Sequence, residues 1–208
     1  MNYPENLARI LKLARWAVYF CWAVAFISLA TIPALFAEAS GAVDVDYGED
    51  GLSLAAAFVL LIHACTFVVS AILVALWIYR THEHLQILGL TDLKFSPGWA
   101  VGWYFIPIAN LFVPRSVMGE LWQRSHGPGQ AISERNLNLW WGFWISASIL
   151  EAIGDQGVNR FDLNPMAGFW LIAASMVLTS ASALVLRTVI RNITNAVAAG
   201  RPTRAIFD

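Results

Sequence analysis

Four polar side chains interrupt an apolar stretch in the middle of the chain: Asn110, Arg115, Glu120 and Arg124. Glu120 could serve as a general base if partial burial raised the pKa of its carboxyl group. Each arginine could hold a phosphate group through two parallel hydrogen bonds. No nucleophile, metal-ligand set or phosphate-binding loop accompanies Glu120. We therefore rank catalysis behind binding, and we predict no catalytic residue and no cofactor.

A second candidate, His63, lies inside an uncharged run at residues 52–79. An ionisable residue at membrane depth suggests a functional role, but we favour a neutral His that is hydrogen-bonded to a neighbouring helix. Haem ligation would need a second His at matching depth, and no other apolar run contains one. His82-Glu83 resembles the start of the zinc-protease motif His-Glu-x-x-His. Gln86 stands where the second His would be, so we predict no metal site.

The composition indicates a membrane protein. Of the 208 residues, 58% are apolar and 13% are charged, whereas a soluble domain has about 25% charged residues. The ten Trp residues are typical of a chain with many positions at the membrane–water interface. The net charge of -1 argues against a nucleic-acid partner. Cys21 and Cys65 should lie at different depths in their helices, so we expect no disulfide between them.

Four runs are apolar enough to be membrane-spanning helices, which need about 20 residues: 16–36, 52–79, 136–153 and 165–186. A signal peptide is the alternative for the first run, but the run is too long for one and further spans follow. In the last run, small residues recur every four positions at Ser175, Thr179 and Ala183. Such a stripe would let another helix approach closely.

The charges predict how these spans are oriented. With the N-terminus in the cytoplasm, every Lys and Arg except Arg160 falls on the cytoplasmic side, and the two outer loops are acidic. This is the pattern of the positive-inside rule. A fifth crossing by residues 97–113 would move three arginines and the Arg-rich tail at residues 187–208 outside. We therefore predict a multi-pass protein of the inner or plasma membrane, with both termini in the cytoplasm.

The central segment, residues 95–124, is the unusual element. Pro107 should kink or end a helix near Ile106, and Pro114 should stop the chain again or begin a new helix. Irregular backbone at membrane depth is tolerated only where protein or water satisfies it. The side chain of Asn110, between the two prolines, could supply such hydrogen bonds.

After Pro114 the pattern predicts a short amphipathic helix at the membrane interface. One face is apolar and consists of Val117, Met118, Leu121 and Trp122. We expect Trp122 at the level of the headgroups and Arg115 and Arg124 on lipid phosphates. Two alternatives are a ligand or partner surface on the cytoplasmic face and a catalytic site at Glu120.

A long motif, FSPGWAVGWYFIPIANLFVP, occupies residues 95–114. Glu120-Leu121-Trp122 follows it, residues 77–80 end the preceding helix, and Trp140-Trp141 comes after. Together they resemble a bacterial membrane family known as domain of unknown function 4328. The resemblance covers most of the chain and implies a multi-pass bacterial membrane protein, without implying any reaction.

The sequence thus predicts an all-α polytopic membrane protein, one membrane domain over residues 1–208. It has four transmembrane helices and a central re-entrant or interfacial helical segment. Our leading hypothesis is a non-enzymatic component that binds lipid, a membrane partner protein or a second copy through the central segment. The alternatives are a small oligomeric transporter or channel subunit, with His63 and Asn110 along the pathway, and a membrane enzyme centred on Glu120. Six residues are candidates for binding: His63, Asn110, Arg115, Glu120, Trp122 and Arg124.

Overall fold

The computed structural model describes residues 3–46, 48–90, 92–126 and 134–200, and the regular structure within them is entirely helical. This confirms the all-α prediction. The α-helices in this part of the chain are α1 (Tyr3–Ala30), α2 (Ile32–Ala39), α3 (Gly51–Ile87), α4 (Pro97–Gly102), α5 (Val113–His126), α6 (Glu134–Phe161) and α7 (Pro165–Ala198). Two short 3₁₀ turns, Trp103–Phe105 and Ala109–Leu111, separate α4 from α5. The end of the predicted tail, residues 201–208, lies outside the described residues.

Three helical stretches in the described part of the chain are long and apolar enough to cross a membrane: Pro4–Ala39, Gly51–Ile87 and Pro165–Ala198. They contain three of the four predicted spans, and their length and composition are consistent with a membrane protein. The fourth predicted span, residues 136–153, lies within the 28-residue helix α6. Asn136, Asn138 and Glu151 make this helix less apolar than the other three.

Contacts among the described residues divide the chain into two compact units. The first unit draws on the chain before Phe20, from Ser70 to Leu139 and from Val185 onward. The second draws on Phe20–Val69 and Trp140–Leu184.

The first unit has a dense apolar core built by α3, α5 and α7. Its fully buried side chains include Trp77, Ile78, Leu85, Val117, Met118, Leu121, Ile190 and Ile193. The indole N–H of Trp77 donates a hydrogen bond to Oγ1 of Thr194 over 3.1 Å. A buried indole N–H needs such a partner, so this bond joins α3 to α7 inside the core that supports α5.

In the second unit, two glycines bring α6 and α7 into close contact. A Cβ atom at Gly154 would lie 2.7 Å from Cγ1 of Ile172 and 3.1 Å from the carbonyl oxygen of Gly168. A Cβ atom at Gly168 would overlap Cγ2 of Val158. Only glycine leaves room for backbones at this separation, as at close helix crossings in membranes.

The small-residue stripe of α7 lies partly inside the second unit. Ser175 and Ala183 are buried and Thr179 is half-buried. Beside this stripe, the hydroxyl of Ser182 donates a hydrogen bond to the carbonyl oxygen of Trp140 over 3.1 Å. Small side chains on α7 therefore contribute both packing and a polar bond to α6.

Candidate functional site

The two prolines divide the central segment as predicted. The helical chain that starts at Pro97 ends with the first 3₁₀ turn, and Ile106 is extended at φ -98° and ψ 113°. Pro107 therefore follows an extended residue, which is the conformation that proline imposes on its predecessor. Helix α5 begins at Val113 and holds Pro114 in its first turn, where no intrahelical donor is needed.

Between α4 and α5, the chain exposes several large apolar side chains. We call residues 105–112 the apolar tip. Phe105 is 81% exposed, Ile108 77% and Phe112 68%. Clustered exposure of large apolar side chains is unfavourable in water and marks a surface that contacts lipid or another molecule.

Three backbone amides of the apolar tip donate hydrogen bonds to carbonyl oxygens within the tip. The amide of Asn110 donates to the carbonyl of Ile106 over 2.7 Å, and the amides of Leu111 and Phe112 donate to those of Ile108 and Ala109. The side-chain oxygen Oδ1 of Asn110 is buried and accepts no hydrogen bond from the described residues. We expected the Asn110 side chain to supply hydrogen bonds to the irregular backbone, and no such bond is seen at its Oδ1.

Glu120 on α5 is hydrogen-bonded to the chain at the start of the central segment. Its carboxylate accepts hydrogen bonds from the backbone amides of Lys94 and Phe95, the latter over 3.2 Å. The side chain is only 9% exposed. Burial by itself would raise the pKa of Glu120, but His82 and the two backbone amides outweigh it and lower that pKa. The raised pKa on which we based a general-base role for Glu120 is therefore not found, and the observed bonds of its carboxylate are structural.

Beside Glu120 lies His82, the residue that we weighed and rejected as a metal ligand. His82 is fully buried on α3. Its Nδ1 lies 3.1 Å from the carbonyl oxygen of Ile78, and its Nε2 lies 3.6 Å from Oε2 of Glu120. Nε2 of His82 is buried and has no hydrogen-bond partner among the described residues.

One signal in the sequence could have identified the buried position of His82. Ile78 and Leu85 lie four and three residues away, which places them on the same helical face as His82. Both are fully buried. The helix therefore continues as a core helix past the end of its apolar run.

The two arginines of α5 also make bonds within the first unit. Nη2 of Arg124 donates to the carbonyl oxygen of Asp92 over 3.0 Å and to its carboxylate over 2.8 Å. Nε of Arg115 donates to Oδ1 of Asn138 on α6 over 2.7 Å. Arg124 thus ties α5 to the chain before α4, as Glu120 does, and Arg115 ties the start of α5 to α6.

Trp122 faces the protein interior and not the headgroup level at which we expected it. It is 6% exposed and stacks on His126 with ring centroids 4.3 Å apart. The other members of its face, Val117, Met118 and Leu121, are fully buried. The apolar face of α5 packs against protein, so the exposed large apolar side chains of the described segment are Trp99 and those of the tip.

His63 lies in the second unit, whereas the other five candidate residues lie in the first. Its Nε2 is 3.0 Å from the hydroxyl of Ser28 on α1. This is the bond to a neighbouring helix that we favoured over a ligand role. In the first unit, Glu120 and Arg124 both bond to residues 92–95, and His82 lies beside Glu120.

Residues 44–200 match the model of a family described as Domain of unknown function (DUF4328). The chain belongs to this family. The match includes the whole central segment and three of the four predicted spans, and the description of the DUF4328 family names no activity. No curated protein and no solved structure matches the chain.

Proposed function

We propose that this DUF4328 protein crosses the inner or plasma membrane four times, with both termini in the cytoplasm. In this proposal the apolar tip dips into the cytoplasmic leaflet as a lipid-binding element, and the protein is not an enzyme. The observation that carries the proposal is a segment whose two ends are bonded together while its middle exposes large apolar side chains.

The closed base of the segment supports a re-entrant path. Glu120 meets Phe95, and Arg124 meets Asp92. A crossing would separate the two ends of the segment by roughly 30 Å of hydrocarbon. Ends that share hydrogen bonds must lie on one side of the membrane, so the chain enters and returns from that side.

The conformation of the tip also suits lipid better than water. Backbone groups in hydrocarbon must find their partners within the protein, and three amides of the tip donate to carbonyls within it. Phe105, Ile108 and Phe112 then offer apolar area of the kind that inserts at the boundary between headgroups and acyl chains.

Basic side chains at the base of the segment support the cytoplasmic side. Lys94 is exposed, and Arg115 and Arg124 are half-buried. The cytoplasmic leaflet carries anionic lipids that attract Lys and Arg near its surface. A tip in the acyl region with basic groups at its base would place each kind of side chain where the bilayer favours it.

Depth-dependent quenching tests the insertion of the tip. Single cysteines at Ile108 and, as a matched control, at exposed Gln123 of α5 would be introduced in a background lacking Cys21 and Cys65. Each would carry an environment-sensitive fluorophore in nanodiscs. We expect brominated lipids to quench the label at residue 108 and aqueous iodide to quench the one at residue 123. Equal iodide quenching at both positions would refute insertion.

Cysteine accessibility tests the topology separately. A cysteine in place of exposed Ser116 should react with a membrane-impermeant reagent in inside-out vesicles and not in intact cells. Labelling in intact cells would place the start of α5 outside and overturn the four-span arrangement.

A further inference from the structure

The second unit contains a cavity of about 540 Å³ that the central segment does not use. Its walls come from α2, α3, α6 and α7 and from Thr31, which lies between α1 and α2. A volume of this size is within the range of small-molecule sites, about 300–1,000 Å³. Neither the proposed lipid contact nor the four-span topology accounts for it.

The charged side chains that line the cavity favour a positively charged ligand. Glu151 and Asp155 both line the cavity, and no Lys or Arg does. They are four residues apart on α6, so they lie about one turn, roughly 6 Å, apart on the same helical face. A ligand that placed a positive charge between them would be attracted by both, whereas an anion would be repelled.

His63 supplies an imidazole ring to the lining of the cavity. His63 lines the cavity from α3 while its Nε2 is bonded to the hydroxyl of Ser28. Ser28 is fully buried, so the bond fixes the orientation of the imidazole. Thr31, also fully buried, contributes to the same wall.

The rest of the lining is apolar and would suit a hydrocarbon group. Leu35, Leu60, Ile172 and Met176 come from three helices, α2, α3 and α7, and all line the cavity. A bare metal ion would leave this surface unused, and the described residues contain no group of three His, Cys, Asp or Glu side chains that could hold a metal. The lining therefore matches a molecule with one cationic end and one short apolar end.

We propose that this cavity is a binding site for a small organic ammonium ion. Glu151 and Asp155 bind the cationic group, His63 bounds the polar end, and the leucine, isoleucine and methionine side chains enclose the alkyl group. The site lies wholly in the second unit. Its test is therefore independent of the test of the lipid-binding tip, which belongs to the first unit.

Calorimetric titration with n-butylammonium tests the site, using the full chain in nanodiscs and empty nanodiscs as the blank. n-Butanol and butyrate have the same chain length and are the neutral and anionic controls. We expect saturable binding of n-butylammonium only. No saturable binding of the amine, or equal binding of butanol or butyrate, would overturn the proposal.

Variants then locate the binding. Glu151→Gln and Asp155→Asn keep the side-chain shape and should each weaken n-butylammonium binding at least tenfold. Asp162→Asn changes an acid of the same unit outside the cavity and should leave binding unchanged. Ile172→Phe, which fills the cavity without changing its charge, should also abolish binding. Unchanged binding in both carboxylate variants and in Ile172→Phe would refute this location.

Discussion

The carboxylate of Glu120 accepts a hydrogen bond from the backbone amide of Phe95 over 3.2 Å, although the two residues are 25 positions apart. Glu120 follows the apolar tip and Phe95 precedes it, so this bond closes the central segment at its base. Arg124 and Asp92 make a second closure one turn further along α5. These two closures therefore fix the base of the segment from which the apolar tip extends.

Removing the Glu120 carboxylate should destabilise the first unit. Glu120→Ala leaves two backbone amides without their acceptor, and hydrogen bonds to charged groups contribute about 1.5–3 kcal/mol each. We expect a loss of roughly 2–4 kcal/mol in the free energy of unfolding, measured by denaturant titration in detergent. Glu83→Ala is the control, because it removes only the partly exposed ion pair with Arg80 and such pairs contribute little. Equal effects of the two substitutions would contradict the structural role of Glu120.

Glu120 should also make the free energy of unfolding depend on pH in the acidic range. Its pKa is lower in the folded protein than its ordinary value, so its contribution is fully present above about pH 4.3, the ordinary pKa of Glu. The contribution is then lost as the pH falls through the lowered pKa of the folded state. Unfolding free energies measured between pH 7 and pH 3 should fall more steeply in the wild type than in Glu120→Gln. Parallel curves would count against this assignment; His82, which faces Glu120, is unchanged in both proteins.

Polar substitution in the tip should affect lipid contact and leave folding intact. Ile108→Ser replaces a side chain that is largely exposed in the unit, so the unfolding free energy in detergent should change by less than about 0.5 kcal/mol. With the fluorophore at Leu111, lipid quenching should decrease relative to the protein with Ile108. Unchanged quenching would show that Ile108 does not contribute to insertion. Ser116→Ala on α5 is a suitable control, since it should alter neither measurement.

The crossing of α6 and α7 should not tolerate even one added methyl group. Gly168→Ala would place a Cβ atom against Cγ2 of Val158 and close to the carbonyl oxygen of Gly154. Overpacking of this kind costs about 1–3 kcal/mol. Gly142→Ala adds the same group to an exposed face of α6 with nothing within 4 Å, and alanine there should be neutral or stabilising. A Gly168→Ala protein as stable as Gly142→Ala would show that the crossing can relax.

Some parts of this architecture could be predicted from local pattern alone. The three most apolar helices are visible as long uncharged runs, and proline chemistry located the break at Ile106 and the start of α5. The end of α3 could not be located in this way, because its helix continues beyond the apolar run through buried His82 and His84. Hydropathy counts these side chains as polar and cannot register the neighbours that bury them.

The roles of the polar residues required the tertiary structure. Sequence identified Glu120, Arg115 and Arg124 as notable, but their partners lie 25, 23 and 32 positions away. Trp122 was assigned to the membrane surface because its helix has an apolar face, and periodicity does not distinguish a face that meets lipid from one that meets protein. Glu151 lies near the end of the predicted span at residues 136–153, and Asp155 lies in the predicted outer loop that follows it. Only the packing of the helices brought both side chains to one cavity with His63.

The sequence by itself determined the helical class, the helices that are apolar enough to cross a membrane and the position of the broken segment. These follow from composition, uncharged length and proline, which act locally along the chain. The tertiary structure decided that the segment is closed at its base, that Trp122 is buried and that a polar cavity lies in the second unit. Each of these depends on contacts between residues distant in sequence, whose energies exist only after the helices have packed.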